Sequence, residues 1–236
     1  VEGLCRAGTF EDVSFEVHAG EVVGFAGLVG AGRTDVGLAL FGIAPAERGT
    51  IAVDGKPVVI RNPGDAMRLG ITYLSEDRRR VGLSMPQSVA SNITLPRLRS
   101  YRTPFGLLDR RAEDAAAARF RDQLRIRTAS LRTPVGNLSG GNQQKTMLAK
   151  WLNAAPRVLI LDEPTRGIDV GAKADVHHLI DDLARQGVAV VVISSDLPEV
   201  LAMSDRIVVM REGRVRAVFA HDEADPERVM AAAVAA

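Results

Sequence analysis

The sequence predicts an α/β fold: a core of mixed sheet with flanking helices, an antiparallel β subdomain, and an inserted helical lobe. Three observations predict it. Residues 158–161 (Val-Leu-Ile-Leu) form an unbroken apolar run ending in Asp162 and Glu163, as a strand buried on both faces of a parallel sheet requires. Residues 21–26 form a second apolar run. It feeds the glycine-rich loop Gly27-Leu28-Val29-Gly30-Ala31-Gly32-Arg33-Thr34 and then a helical stretch over 35–41. From about residue 84 to 134 the character changes: no buried strand is visible, and Arg and Ala are frequent. The expected organisation is one domain over 1–236, with a core of about 1–83 and 135–236 and a helical lobe of about 84–134.

The other elements follow in order. Residues 13–17 and 50–60 alternate as antiparallel strands do, with Asp54-Gly55 as a hairpin turn. Asn62-Pro63 opens a short helix to Leu69. Asp109 caps a helix over 110–124. Ser139-Gly140-Gly141 precedes a helical run over 143–153, which sets bare N–H groups and a hydroxyl at a helix N-terminus where the dipole favours an anion. Residues 188–193 form another buried strand, 206–211 and 214–219 a hairpin about Glu212-Gly213, and 223–234 a final helix. His177 and His178 fall inside a helix and read as ordinary helix residues. Arg78-Arg79-Arg80 reads as a solvated loop.

Composition narrows the function classes. The formal net charge is +1, and the three arginines lack interleaved aromatics, so nucleic acid is not an expected partner. A single cysteine, Cys5, allows no internal disulfide and points to a reducing compartment. No apolar run approaches the roughly 18 residues of a membrane span. No signal peptide is visible, and the chain opens at Val1 beside its first strand, so a fragment of a longer protein is expected.

Strand, glycine loop and helix in succession are the context of a phosphate loop, in which consecutive backbone N–H groups turn inward as an anion nest. The pattern Gly-x-x-x-x-Gly-Lys-[Ser/Thr] is met except at Arg33. A forked, planar guanidinium does not replace a slender ammonium reaching past a β-phosphate. Asp162 at the carboxyl end of its strand sits where open α/β sheets bind ligands.

The glycine loop, the run Leu138-Ser139-Gly140-Gly141-Asn142-Gln143-Gln144-Lys145 and the strand ending Asp162-Glu163-Pro164-Thr165, in this order, resemble the ATP-binding cassette (ABC) ATPases over essentially the whole chain. The resemblance implies ATP and Mg²⁺ as cofactors. Gly27, Gly30, Ala31, Gly32, Arg33 and Thr34 would bind the nucleotide phosphates. Thr34 and Asp162 would hold Mg²⁺, and Glu163 would act as base or water-orienting group. Ser139, Gly140 and Gly141, in the signature motif, would touch an ATP held by another cassette, and Asp169 would contact the partner cassette. The family's Gln and His positions hold Glu76 and Ser195. Phe10 lies near the family's adenine-stacking aromatic and reads as a core residue instead.

An intact signature beside altered Lys, Gln and His positions is similar to one subgroup, the C-terminal cassettes of bacterial ribose, galactose and xylose importers. That resemblance implies an N-terminal cassette in the same full-length chain, permease transmembrane subunits and, indirectly, a periplasmic-type sugar-binding protein. It also implies a place on the cytoplasmic face of the inner membrane. Residues 88–93 fall where the lobe would receive the permease. Two alternatives remain at this point: a nucleotide-binding regulatory module without hydrolysis, and a soluble ABC switch protein acting on nucleic acid.

Overall fold

The computed structural model describes residues 1–168 and 170–234. In chain order its elements are β1 (Glu2–Arg6), β2 (Phe10–Val13), β3 (Val22–Ala26), α1 (Arg33–Phe41), β4 (Arg48–Val53), β5 (Lys56–Val58), α2 (Pro63–Arg68) and β6 (Ile71–Leu74). There follow α3 (Val89–Thr94), α4 (Arg110–Gln123), α5 (Gly140–Leu152), β7 (Val158–Asp162), α6 (Val170–Arg185), β8 (Ala189–Ile193), α7 (Leu197–Met203), β9 (Arg206–Arg211), β10 (Arg214–Ala220) and α8 (Pro226–Val234). They divide into two compact units, one of residues 1–73, 157–164 and from 177 on, the other of residues 74–156 and 165–176.

The first unit is built on a six-stranded sheet in the order β10-β9-β3-β8-β7-β6. β3 runs parallel to β8 and β9, and β7 runs parallel to β8. Every residue of β3 and β8 is buried, which explains their unbroken apolar sequences. Ala26, Val200, Ile207 and Val209 pack with Val229 and Ala233 of α8 in one apolar cluster. β10 closes the edge antiparallel to β9. A second, antiparallel sheet has the order β2-β1-β4-β5. Its β4–β5 hairpin turns at Asp54 and Gly55, both at positive φ (52° and 71°), as a tight hairpin of right-handed strands demands.

One strand expectation shifts. The assigned strand is Phe10–Val13, and beyond it Phe15 exchanges backbone hydrogen bonds with Val1, its N–H donating to the Val1 carbonyl at 3.1 Å and its carbonyl accepting from Val1 N at 2.9 Å. The alternation over 13–17 is real, since Val13 is buried and Phe15 packs edge-on against Phe25 with ring centroids 5.0 Å apart. The segment thus stays extended, and tied to Val1 through Phe15, beyond the end of the assigned strand.

The second unit is helical. Ser88 caps α3 by accepting from the Ser91 N–H, and Asp109 caps α4 by accepting from Arg111 and Ala112. Glu113, on α4, is buried and accepts from Thr94 Oγ1 at 3.1 Å. α5 begins at Gly140, three residues earlier than the sequence suggests, because the Ser139 carbonyl already accepts from Gln143 N. The segment read as a solvated arginine loop is instead one turn of wide, π-type helix, Arg78–Gly82, capped by Asp77. Among the described residues no helix is long and apolar enough to cross a membrane.

Candidate functional site

The first unit gathers the glycine loop and the carboxyl ends of β7 and β8. Gly27 takes φ 148°, and a Cβ there would fall 2.2 Å from the Met210 carbonyl oxygen. Only glycine lets the loop leave β3 this close to its neighbour. Gly32, at φ 91°, is the N-cap of α1. Leu28, Val29 and Gly30 at the loop tip are exposed, while Ala31 and Arg33 are buried.

Arg33 does not reach into the loop's concavity as a free cation. Its Nη1 donates to the Ser194 carbonyl just beyond β8. Burial draws its pKa down, opposed by the nearby charges of Glu163 and Asp162. Next to it, Thr34 Oγ1 lies 3.2 Å from Asp162 Oδ1 and donates to it. The other carboxylate oxygen, Oδ2, accepts from the Tyr73 hydroxyl at 2.6 Å. Burial raises the Asp162 pKa, while the Tyr73 and Thr34 hydrogen bonds lower it in part. Burial beside this carboxylate also holds the Tyr73 phenol firmly protonated. Sequence reading passed over Tyr73; the available signal was a hydroxyl-bearing ring inside a short buried strand.

The donor set fits Mg²⁺. A hydroxyl and a carboxylate oxygen at 3.2 Å are hard ligands, and Mg²⁺ bound with a nucleotide needs only one or two from the protein. The same carboxylate is a burden to the metal-free fold. Its folded pKa lies above the unfolded value, so this group favours the fold below the ordinary Asp range and disfavours it as pH rises through the shifted pKa. Asp162→Asn is therefore expected to raise the Tm of the nucleotide-free chain at pH 7. The gain should vanish below about pH 4, where both states are protonated. Thermal melts of the two proteins across pH check it.

Glu163 adopts a left-handed backbone, φ 51°, with its N–H bonded to the Ile193 carbonyl at 2.8 Å. Its Oε2 accepts from Ser195 Oγ at 3.1 Å. The residue that the sequence reading set at a His position thus touches the candidate base. Below lies Glu199, buried, which accepts from Ser194 Oγ at 2.5 Å and meets His177 Nε2 at 2.9 Å. A cavity of about 570 Å³ opens between Gly30 and the turn joining β1 to β2. Phe10 is only 3% exposed and belongs to the core.

The second unit holds the signature residues. Ser139 is the N-cap of α5 but makes no side-chain cap bond. Instead Asn142 Nδ2 donates to Ser139 Oγ at 2.9 Å, which leaves the hydroxyl's own proton to donate elsewhere. Asn142 Oδ1 accepts from Arg127 N at 2.7 Å. Ser139, Gly141 and Asn142 line a cavity of about 430 Å³ with Arg125, Arg127 and Lys145. Lys145 pairs with Asp175 at 2.8 Å. Gly140 lies in the same first turn of α5. Glu76 is also in this unit, ion-paired with Arg166. Asp169 lies outside the described residues.

Over 233 residues the chain is 53% identical to the "Ribose import ATP-binding protein RbsA 1" of Streptomyces coelicolor, covering 99% of this chain and 46% of that protein. It is 51% identical over 233 residues to the "Ribose import ATP-binding protein RbsA" of Rhodococcus jostii, again with 99% and 46% covered. The chain thus spans less than half the length of these relatives. Its fold is that of the ADP conformation of the ATP-binding cassette MJ1267 of an ABC transporter, with TM-score 0.82 and 19% identity over 100% of this chain and 97% of that one. The dimeric bacterial ABC transporter cassette MJ0796 matches at TM-score 0.78 and 19% identity, covering 90% of each chain. Residues 10–166 match the ABC transporter family, and with its glycine loop, acidic strand end and signature turn the chain belongs to that family.

Proposed function

We propose that this chain is one of two ATP-binding cassettes in the ATPase of a bacterial sugar importer of the ribose type. It binds ATP with Mg²⁺ and lends its signature to the partner cassette's hydrolytic site, while its own site turns over slowly. The observation that carries this reading is Arg33, a buried guanidinium engaged by the Ser194 carbonyl where the family has a free lysine ammonium. Ser195 in place of His supplies a hydroxyl to Glu163 but no imidazole for a γ-phosphate. A positioned acid–base group contributes about 10²- to 10⁴-fold, so losing two at the low end slows the reaction roughly 10⁴-fold.

Nucleotide binding survives these changes because the glycine nest, Thr34 and Asp162 remain. Mg²⁺, when bound, supplies charge neutralisation for the phosphates; Thr34 and Asp162 offer its oxygens, and Glu163 orients water. The full-length protein would carry the N-terminal cassette as dimer partner, with Asp169 at the interface. It would dock on permease subunits at the cytoplasmic face of the inner membrane, fed by a periplasmic-type sugar-binding protein. The relatives' ribose-import names support the importer over a nucleic-acid switch protein.

Calorimetry on the isolated chain should show ATP·Mg²⁺ binding between micromolar and millimolar affinity, and no heat at millimolar ATP would end the proposal. Steady turnover should stay far below about 1 s⁻¹, the lower range for enzymes. A rate at that level would mean Arg33 and Ser195 are not the handicaps argued for them.

A further inference from the structure

Arg78 stands where three segments of the second unit meet. It opens the π-type turn Arg78–Gly82, and its Nη1 donates to the Gly140 carbonyl at 3.0 Å. A Cβ on Gly140 would lie 3.8 Å from Nη1, and one on Gly167 would lie 3.1 Å from Nη2. The guanidinium therefore occupies a slot walled by two glycines, one in the signature and one in the segment after Glu163. Glu76, just upstream of Arg78, pairs with Arg166 and fastens the same loop to that segment.

The other end of the turn is fastened as well. Lys150, buried near the C-terminal end of α5, donates its Nζ to the Gly82 carbonyl at 2.9 Å. Gly82 lies so close to α5 that a Cβ on it would meet Met147 Sδ at 2.3 Å. One short loop is thus tied to both ends of the signature helix. The tie at the N-terminal end is electrostatically odd, because a cation there opposes the helix dipole. Helix stability alone would place an acid at that point. An arginine there is better explained by the geometry it imposes on the first turn.

We propose that Arg78 is a positioning residue for the signature. It holds the first turn of α5 in register with the Gly167 segment, so that a displacement of residues 75–82 is passed to Ser139 and Gly141. This rests on the reading that the signature serves an ATP held by the other cassette.

The test uses the intact two-cassette protein with its permease, measuring ATP kcat, KM and Tm for Arg78→Met, Arg78→Lys, Lys150→Met and Ser139→Arg. Arg78→Met should lower kcat about tenfold or more with KM within about twofold, as expected when a reacting group is held slightly out of place. Arg78→Lys, which can still donate to the Gly140 carbonyl, should recover a large part of kcat. Lys150→Met, cutting the same loop from the far end of α5, should lower kcat in the same direction and serves as the readout if Arg78→Met does not fold. Wild-type kcat in Arg78→Met, or in Lys150→Met when Arg78→Met is unfolded, overturns the proposal, as does a loss expressed mainly in KM or no recovery by Arg78→Lys. Ser139→Arg separates the two readings. If it leaves turnover intact, the signature-donor reading itself has failed; if it abolishes turnover while Arg78→Met does not, only the role of Arg78 is wrong.

Discussion

Gly141→Asp in the intact two-cassette protein is expected to abolish both ATP turnover and transport, while Arg33→Ala leaves substantial activity. Gly141 lies in the first turn of α5 and lines the open cavity with Ser139 and Asn142. A side chain there fills the approach, and a carboxylate repels the phosphate that the helix N-terminus would otherwise attract. Removing one preorganised donor to a developing charge costs about 10²–10³ in rate, and blocking the approach costs more. Arg33 is different because its guanidinium is already committed to the Ser194 carbonyl. Truncating it leaves that buried acceptor unpaired, at about 1–3 kcal/mol of stability. The comparison therefore belongs at a temperature where both variants stay folded. Equal loss in the two variants would make this chain's own site the working one.

Gly24→Val is expected to give the largest loss of stability. Gly24 sits in the middle of β3, paired with β8 on one side and β9 on the other. A Cβ there would fall 2.1 Å from Ser204 Oγ and 2.6 Å from Val200 Cγ1. Both neighbours are buried, so neither can swing into solvent. Overpacking a dense interior costs about 1–3 kcal/mol and occasionally more. At the upper figure, Tm should fall about 6–12 °C for a chain of this size. A melt within about 2 °C of wild type would show that α7 can move away from the sheet far more freely than its packing suggests.

The sequence carried most of the sheet because its strands are buried on both faces, and such strands announce themselves as unbroken runs. β3, β7 and β8 fall within a residue of the sequence reading. Residues 14–17 alternate as read, but the assigned strand stops at Val13 and the pairing beyond it rests on the backbone exchange between Phe15 and Val1. Arg33, Asp162 and Ser195 were legible because each occupies a fixed place in a motif. Tyr73, Glu199 and Arg78 were not. Tyr73 meets Asp162 across 89 residues of chain, and Glu199 joins Ser194 to His177 from a helix of its own. Arg78 looks in the sequence like the first of three equivalent arginines. Only the slot between two glycines sets it apart from Arg79 and Arg80, which remain exposed.

The bond from Arg33 to the Ser194 carbonyl also bears on how such a site ages. It joins the loop after β3 to the loop after β8, which are neighbouring parallel strands. Restoring lysine at position 33 would free the carbonyl and still leave Ser195 without an imidazole. Restoring histidine at 195 would leave the guanidinium locked in place beside it. Each single reversal forfeits an existing contact before it recovers any catalysis. On the proposed reading, Arg33→Lys and Ser195→His together, rather than either alone, would be needed to recover turnover at this site.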